Sequence, residues 1–191
     1  MDYKKLTDEQ IWKLISMGDR TAFGFVFKTF VKEFFKYGCK FTKDKALIED
    51  VIQDTFVSLW KSKEKVKIEK SIKFYLITAF RRELIRRISA ERKFDTIEDC
   101  ADTYFIEHSY IDLLVQHQSS IQMNEDLTHA LSQLTARQRE AIYLKYFVEL
   151  SYEEIAETLD MQVPSLYNLI MKAMKALKLS MKNEKLLVNL K

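Results

Sequence analysis

The chain has 191 residues, 47% hydrophobic and 31% charged, with a formal net charge of +3. That composition supports a packed core and excludes a wholly disordered chain. Only three Gly and one Pro occur, which argues against turn-rich all-β folds and against glycine-cradled nucleotide sites. No apolar run approaches the roughly 18 residues of a membrane span. The opening MDYKKLTDEQIW lacks the apolar stretch of a secretory signal. A soluble, cytoplasmic protein with no membrane insertion is therefore expected. Cys39 and Cys100 read as reduced thiols. The spacings of His108, His117 and His129 fit no common zinc pattern. No metal, cofactor or catalytic residue is expected.

Charge divides the chain into three. Residues 1–93 hold 22 Lys/Arg against 13 Asp/Glu, a net of +9. Residues 94–136 hold no Lys or Arg against 8 acids, a net of −8. Residues 137–191 hold 9 against 7, a net of +2. Two basic-leaning units with an acidic connector point to polyanion contact at the ends and not in the middle.

The elements read as all-α. Thr7 to Gln10 is a capping box opening a short helix to about Met17, ended by Gly18. Asp19 caps a second helix to about Gly38. Its Phe23, Phe27, Phe30 and Phe34 recur at helical spacing and are expected in the core. Asp44 caps a third helix, with Ile48, Ile52, Phe56 and Leu59 inward. Residues 61–70, lysine-rich and aperiodic, read as a loop. A fourth helix runs from about Ser71 to Lys93, with Ile77, Phe80, Leu84 and Ile88 inward. Residues 95–122 read as a flexible acidic linker. The pattern resumes with a helix from about Met123 to Leu134. Capping boxes at Thr135/Gln138 and Ser151/Glu154 open two more helices, to about Phe147 and Leu159. A last helix runs from about Val163 to Met181. The organisation is two small helical domains, 1–94 and 123–191, joined by the linker.

Two surfaces carry chemistry. Residues 151–178 have a helix-turn-helix layout. Ile155, Ala156 and Leu159 of a short helix face inward, a tight turn follows, and Leu166, Ile170, Ala173 and Leu177 of the next helix face inward. Gln162, Ser165, Tyr167, Asn168, Lys172 and Lys175 are then left to face DNA, the amides suiting adenine and the lysines phosphate. Leu169 and Met171 are expected on the outside as well. In the first unit, the fourth helix gathers Tyr75, Arg81, Arg82, Arg86, Arg87 and Lys93, widened by Arg92. Rings interleaved with guanidinium groups suit single-stranded nucleic acid, where stacking contributes about 1–3 kcal/mol per base. The third helix has a second face of Asp50, Gln53, Asp54, Val57 and Trp60. An exposed Trp and Val ringed by acid resemble the centre of a protein interface.

Together these pieces resemble a bacterial RNA polymerase sigma factor of the sigma-70 family, extracytoplasmic-function group. ALIEDVIQDTFVSLW is similar to the helix of region 2 that binds the polymerase clamp helices. SIKFYLITAFRRELIRRI is similar to the helix that reads and melts the promoter −10 element. LTARQREAIYLKYFVELSYEEIAETLDMQV is similar to region 4, which binds the −35 element and the polymerase flap. The chain departs from the family's usual pattern at Arg82, where Asn is common, and at Asp160, where Gly is common. The resemblance implies core RNA polymerase, duplex and melted promoter DNA, and an anti-sigma factor as partners. Promoter elements two helical turns apart lie about 70 Å from each other, within the roughly 95 Å that a 28-residue linker spans when extended. The alternative is a two-domain helix-turn-helix transcription regulator with an N-terminal sensing domain, which the Arg-rich fourth helix and the acidic, Trp-bearing third helix disfavour. No carboxylate pair or nucleophile set marks an enzyme.

Overall fold

The computed structural model describes residues 2–68, 70–92 and 130–188, with side chains up to Ala90 in the first stretch of helices and up to Ser180 in the last. The linker 95–122, Lys93, Cys100, the three histidines and most of the expected helix from Met123 lie outside the described residues. The chain divides into two compact units after Phe94. Among the described residues all regular structure is helical.

A one-turn 3-10 helix at Tyr3–Lys5 precedes α1 (Asp8–Ser16), α2 (Arg20–Gly38), α3 (Lys45–Ser62) and α4 (Ile72–Arg92). The starts follow side-chain chemistry. Thr7 and Gln10 close a reciprocal capping box at α1. Asp19 accepts from the Thr21 and Ala22 amides at 2.8 and 3.0 Å, and those two bonds hold its carboxyl below the usual range. Asp44 accepts from the Leu47 amide at 3.0 Å. Between α1 and α2 the chain turns at Gly18, whose φ of +93° any side chain would resist.

The core of this unit is built where α2, α3 and α4 meet. Ile48, Ile52, Phe56 and Leu59 of α3 and Ile77, Phe80, Leu84 and Ile88 of α4 are all buried, as the periodicity expects. The α2 stripe is different. Only Phe34 of its four Phe is buried; the other inward residues are Ala22, Val26, Tyr37 and Gly38. Phe23 and Phe30 are half-buried and Phe27 is exposed. The reason is that α2 carries more apolar residues than one face can bury, and its axis is rotated to place the smaller ones at the crossing. Gly38 lies so close to α3 and α4 that an added Cβ would sit 2.7 Å from Ile48 Cγ2.

Of the second unit, residues 130–132 are helical, followed by α5 (Ala136–Tyr146), α6 (Tyr152–Thr158) and α7 (Val163–Val188). The Thr135/Gln138 and Ser151/Glu154 boxes both form. The last helix continues seven residues past the expected Met181. Its Leu166, Ile170, Ala173 and Leu177 are buried, as are Ile155 and Ala156 of α6 and Leu159 at the C-cap of α6.

Candidate nucleic-acid interface

Tyr75, Arg82, Arg86 and Arg87 of α4 line one open groove of about 420 Å³, whose opposite wall is Asp54, Thr55, Ser58 and Leu59 of α3. Arg81 lies on a different side of α4, half-buried and outside this groove. The basic set is not a row of bare cations. Glu83 takes two bonds from Arg86, at 2.7 and 2.8 Å, and one from Arg87 at 2.8 Å. Arg87 also donates to Asp54 across the helix gap. Hydrogen bonding from Arg86, with Arg87 adding to it against a desolvation that opposes them, pulls the Glu83 carboxyl down from 4.5 to about 2. Glu83 in turn raises the pKa of both guanidiniums. Sequence reading missed Glu83, although its i, i+3 and i, i+4 spacing to the two arginines signals the pairing. Arg82 is exposed and has no ion-pair partner among the described residues, so it is the groove's least compensated charge.

On α3, Asp50, Gln53, Asp54 and Val57 are exposed, Val57 by 41%. Two corrections apply to this face. Trp60 is not an exposed centre: its ring packs 4.9 Å from the Phe23 ring, and the Lys63 ammonium covers it at 4.6 Å. Phe23 reaches it because α2 turns its large rings outward. Asp54 turns toward α4, while Gln53 lies on the rim of a second groove, about 630 Å³, between α2 and α3. Phe27, Val31, Phe35 and Ile52 form its apolar floor, with Lys32, Lys36, Glu49 and Gln53 on its rim. The signal for this groove is the excess of apolar residues on α2, read instead as core.

The lysine-rich loop after α3 is held from α1. Trp12 Nε1 donates to the Val66 carbonyl at 3.3 Å. Asp8 accepts from the Ile72 amide at 2.8 Å, capping α4 together with Ser71, whose hydroxyl accepts from Phe74. Lys61, Lys65 and Lys67 stay exposed on or beside this loop.

In the second unit the turn between α6 and α7 passes through Asp160 at φ +52°. Arg137 of α5 donates to the Leu159 carbonyl at 3.0 Å, satisfying the end of α6. Gln162, just before α7, and Ser165, Tyr167, Asn168, Lys172 and Lys175 on its outer face are all exposed. Leu169, expected on the outside, is half-buried because it sits between the inward Leu166 and Ile170 rows; Met171 is 71% exposed. Tyr167 is 46% exposed, yet one face of its ring is stacked on Tyr152, centroids 4.1 Å apart and planes 14° apart. Tyr152, absent from the expected set, is reached only by folding.

Residues 26–94 match the family model for sigma-70 region 2, and residues 124–177 match that for sigma-70 region 4. The two matches take in more than half of the chain. It belongs to the sigma-70 family. The chain is 24% identical over 153 residues to the ECF RNA polymerase sigma factor SigM of Bacillus subtilis, covering 80% of this chain and 91% of that one. It is 27% identical over 143 residues to the RNA polymerase sigma factor YlaC of the same organism, covering 75% and 82%. Its fold is similar to that of CnrH, solved in complex with the cytosolic domain of CnrY, at a TM-score of 0.60 and 18% identity, covering 92% and 97%. It is also similar to the sigma factor RpoE of Bartonella quintana, solved with the anti-sigma factor NepR, at a TM-score of 0.57 and 18% identity, covering 84% and 96%. The α4 groove falls within the region 2 match, and the helix-turn-helix within the region 4 match. Among the described residues no helix is long and apolar enough to cross a membrane.

Proposed function

We propose that this sigma factor binds core RNA polymerase in the cytoplasm and directs promoter-specific initiation, engaging and melting the −10 element with its first unit and binding the −35 element with its second. The observation that carries the reading is the union, in one chain, of the Tyr75–Arg82 groove on α4 and the exposed polar face of α7. The outer face of α3 docks on the polymerase clamp helices. Asp50, Gln53 and Val57 make direct contact there, and Trp60 stiffens the helix end through Phe23. The α2–α3 groove beside Gln53 extends that docking face.

In the first unit the division of labour follows charge. Arg82, the least compensated cation, meets phosphate, and Tyr75 offers a ring on which a base stacks. The loop after α3 takes a base turned out of the melted strand, an extrusion that costs a few kcal/mol and that a pocket with stacking offsets. In the second unit α7 lies in the major groove, where Asn168 and Gln162 read base edges and Lys172 and Lys175 contact phosphate. The acidic linker mimics nucleic acid in the basic channel of the polymerase. An anti-sigma factor is the natural antagonist of such surfaces; one of the similar folds was solved with one bound.

The test is run-off transcription with purified core polymerase, with and without this chain, on fragments of the host genome. Initiation at discrete sites supports the reading and yields both promoter elements. An inactive core, together with specific duplex binding by the chain alone, would replace it with a helix-turn-helix regulator.

A further inference from the structure

Tyr152 is the first residue of α6, and the Ser151/Glu154 box fixes the backbone beneath it. Its ring has two neighbours. The Lys145 ammonium of α5 lies over it, 4.6 Å from the ring centroid, and Tyr167 of α7 stacks on it at 4.1 Å. Lys145 is itself tied by a 3.2 Å bond to the Leu150 carbonyl. The result is a cluster of one cation and two rings that links α5, α6 and α7. A tyrosine on the outer face of a helix ordinarily samples several rotamers. Here one face of Tyr167 is occupied, which narrows that choice while the residue stays 46% exposed. Leu166 and Ile170, both buried, hold the helix beneath it.

We infer that Tyr152 is a positioning residue for promoter specificity: it holds Tyr167 in the orientation that reads one base pair of the −35 element. The inference rests on the sigma-factor reading and adds a residue that touches no base itself. A group pre-set by a rigid support loses less freedom on binding, and the saving appears only where that group makes its contact. Loss of Tyr152 therefore lowers discrimination at the base pair that Tyr167 reads, and leaves the other positions as they were.

The experiment uses the full chain assembled with core polymerase and the promoter identified by run-off transcription. A panel of duplexes replaces each −35 base pair in turn, and relative affinities are measured by competition. Y167A is expected to lose roughly 5–100-fold discrimination at one base pair, the range of a single side-chain contact. Y152A and Y152L are expected to lose most of that discrimination at the same base pair, Y152F to keep it, and Y152A/Y167A to be no worse than Y167A alone. Melting curves of each variant show that it is folded. Wild-type discrimination retained by both Y152A and Y152L would overturn the inference. So would an even loss across the panel, or a Y152F as defective as Y152A, which would assign the effect to a Tyr152 hydroxyl–phosphate contact. A wild-type holoenzyme with no −35 preference would instead remove the −35 part of the sigma reading, and the inference with it, before any variant is compared.

Discussion

Asp54 of α3 and Arg87 of α4, 33 positions apart, are joined by a charge-assisted hydrogen bond across the mouth of the groove that also holds Tyr75 and Arg82. The bond joins a residue on the expected polymerase face to one on the expected DNA face. It leaves the groove's cations unequal. Arg87 is shared between two carboxylates and Arg86 is gripped by Glu83, while Arg82 has no ion-pair partner among the described residues.

That inequality predicts a ranking in salt dependence. Each phosphate neutralised on a single strand contributes a slope of about 0.7 in log affinity against log salt. R82A is expected to reduce the slope for a mixed-sequence single-stranded oligonucleotide by about that amount, and R86A by clearly less. D54N, which releases Arg87 from one of its anions, is expected to steepen it. Fluorescence anisotropy of the full chain across a salt series measures all three, and equal slopes for R82A and R86A would contradict the ranking.

Glu83 predicts a pH dependence. Its carboxyl is depressed from 4.5 to about 2, chiefly by Arg86. A depressed folded value means the unfolded chain takes up the proton first. The stabilisation is complete above the unfolded value and is lost as pH falls from about 4.5 towards 2. The groove is open to solvent, so the ion pairs contribute at most about 1 kcal/mol. E83Q should therefore melt slightly below wild type at neutral pH, with the gap closing as pH falls through that window. A gap unchanged at pH 3 would exclude the mechanism.

Gly38 predicts a steric penalty of known sign. In an open helix position, Gly to Ala gains about 1 kcal/mol from propensity. At Gly38 the new methyl would lie 2.7 Å from Ile48 Cγ2 and 3.1 Å from Phe80 Cζ, both fully buried. Overpacking of this kind costs about 1–3 kcal/mol. G38A is expected to lower the denaturation midpoint, whereas G24A, with nothing within 4 Å of the new methyl, should raise it.

Two left-handed residues predict gains. Glu149 and Asp160 have φ of +63° and +52°. Glycine takes that conformation without strain. Asp tolerates it better than Glu, because its short side chain bonds locally. E149G and D160G should each raise the melting temperature, by roughly 0.5–1 kcal/mol of stability, with E149G the larger. Duplex binding should be unchanged by E149G.

What could be read from the sequence is what one helix decides for itself. The capping boxes at Thr7, Thr135 and Ser151 are written in four consecutive residues, and all three form. The inward rows of α3, α4 and α7 follow from the 3.6-residue period and are buried. The outward set of α7 follows by complement. Contacts made between helices left no trace in the period. Trp60 looks exposed until Phe23 arrives from α2, and Tyr167 looks unpartnered until Tyr152 stacks on it. The α2 stripe misled for a related reason. A helix rich in Phe on several faces satisfies many periodic readings at once, and only its crossing with α3 at Gly38 selects one. Glu83 was legible through its spacing but was overlooked among the arginines.

The bond from the Ile72 amide to Asp8 spans 64 residues, and that from Trp12 to Val66 spans 54. On the ribosome the chain emerges from its N-terminus, so α1 leaves the exit tunnel long before either partner exists. The first unit cannot close until α4, whose start Asp8 caps, has been synthesised. Until then the apolar faces of α2 and α3 lack the helix that covers them. Past Lys93 the residues turn acidic, without Lys or Arg from position 94 through 136. The order of synthesis thus delivers the covering helix first and a strongly charged, solubilising stretch directly behind it.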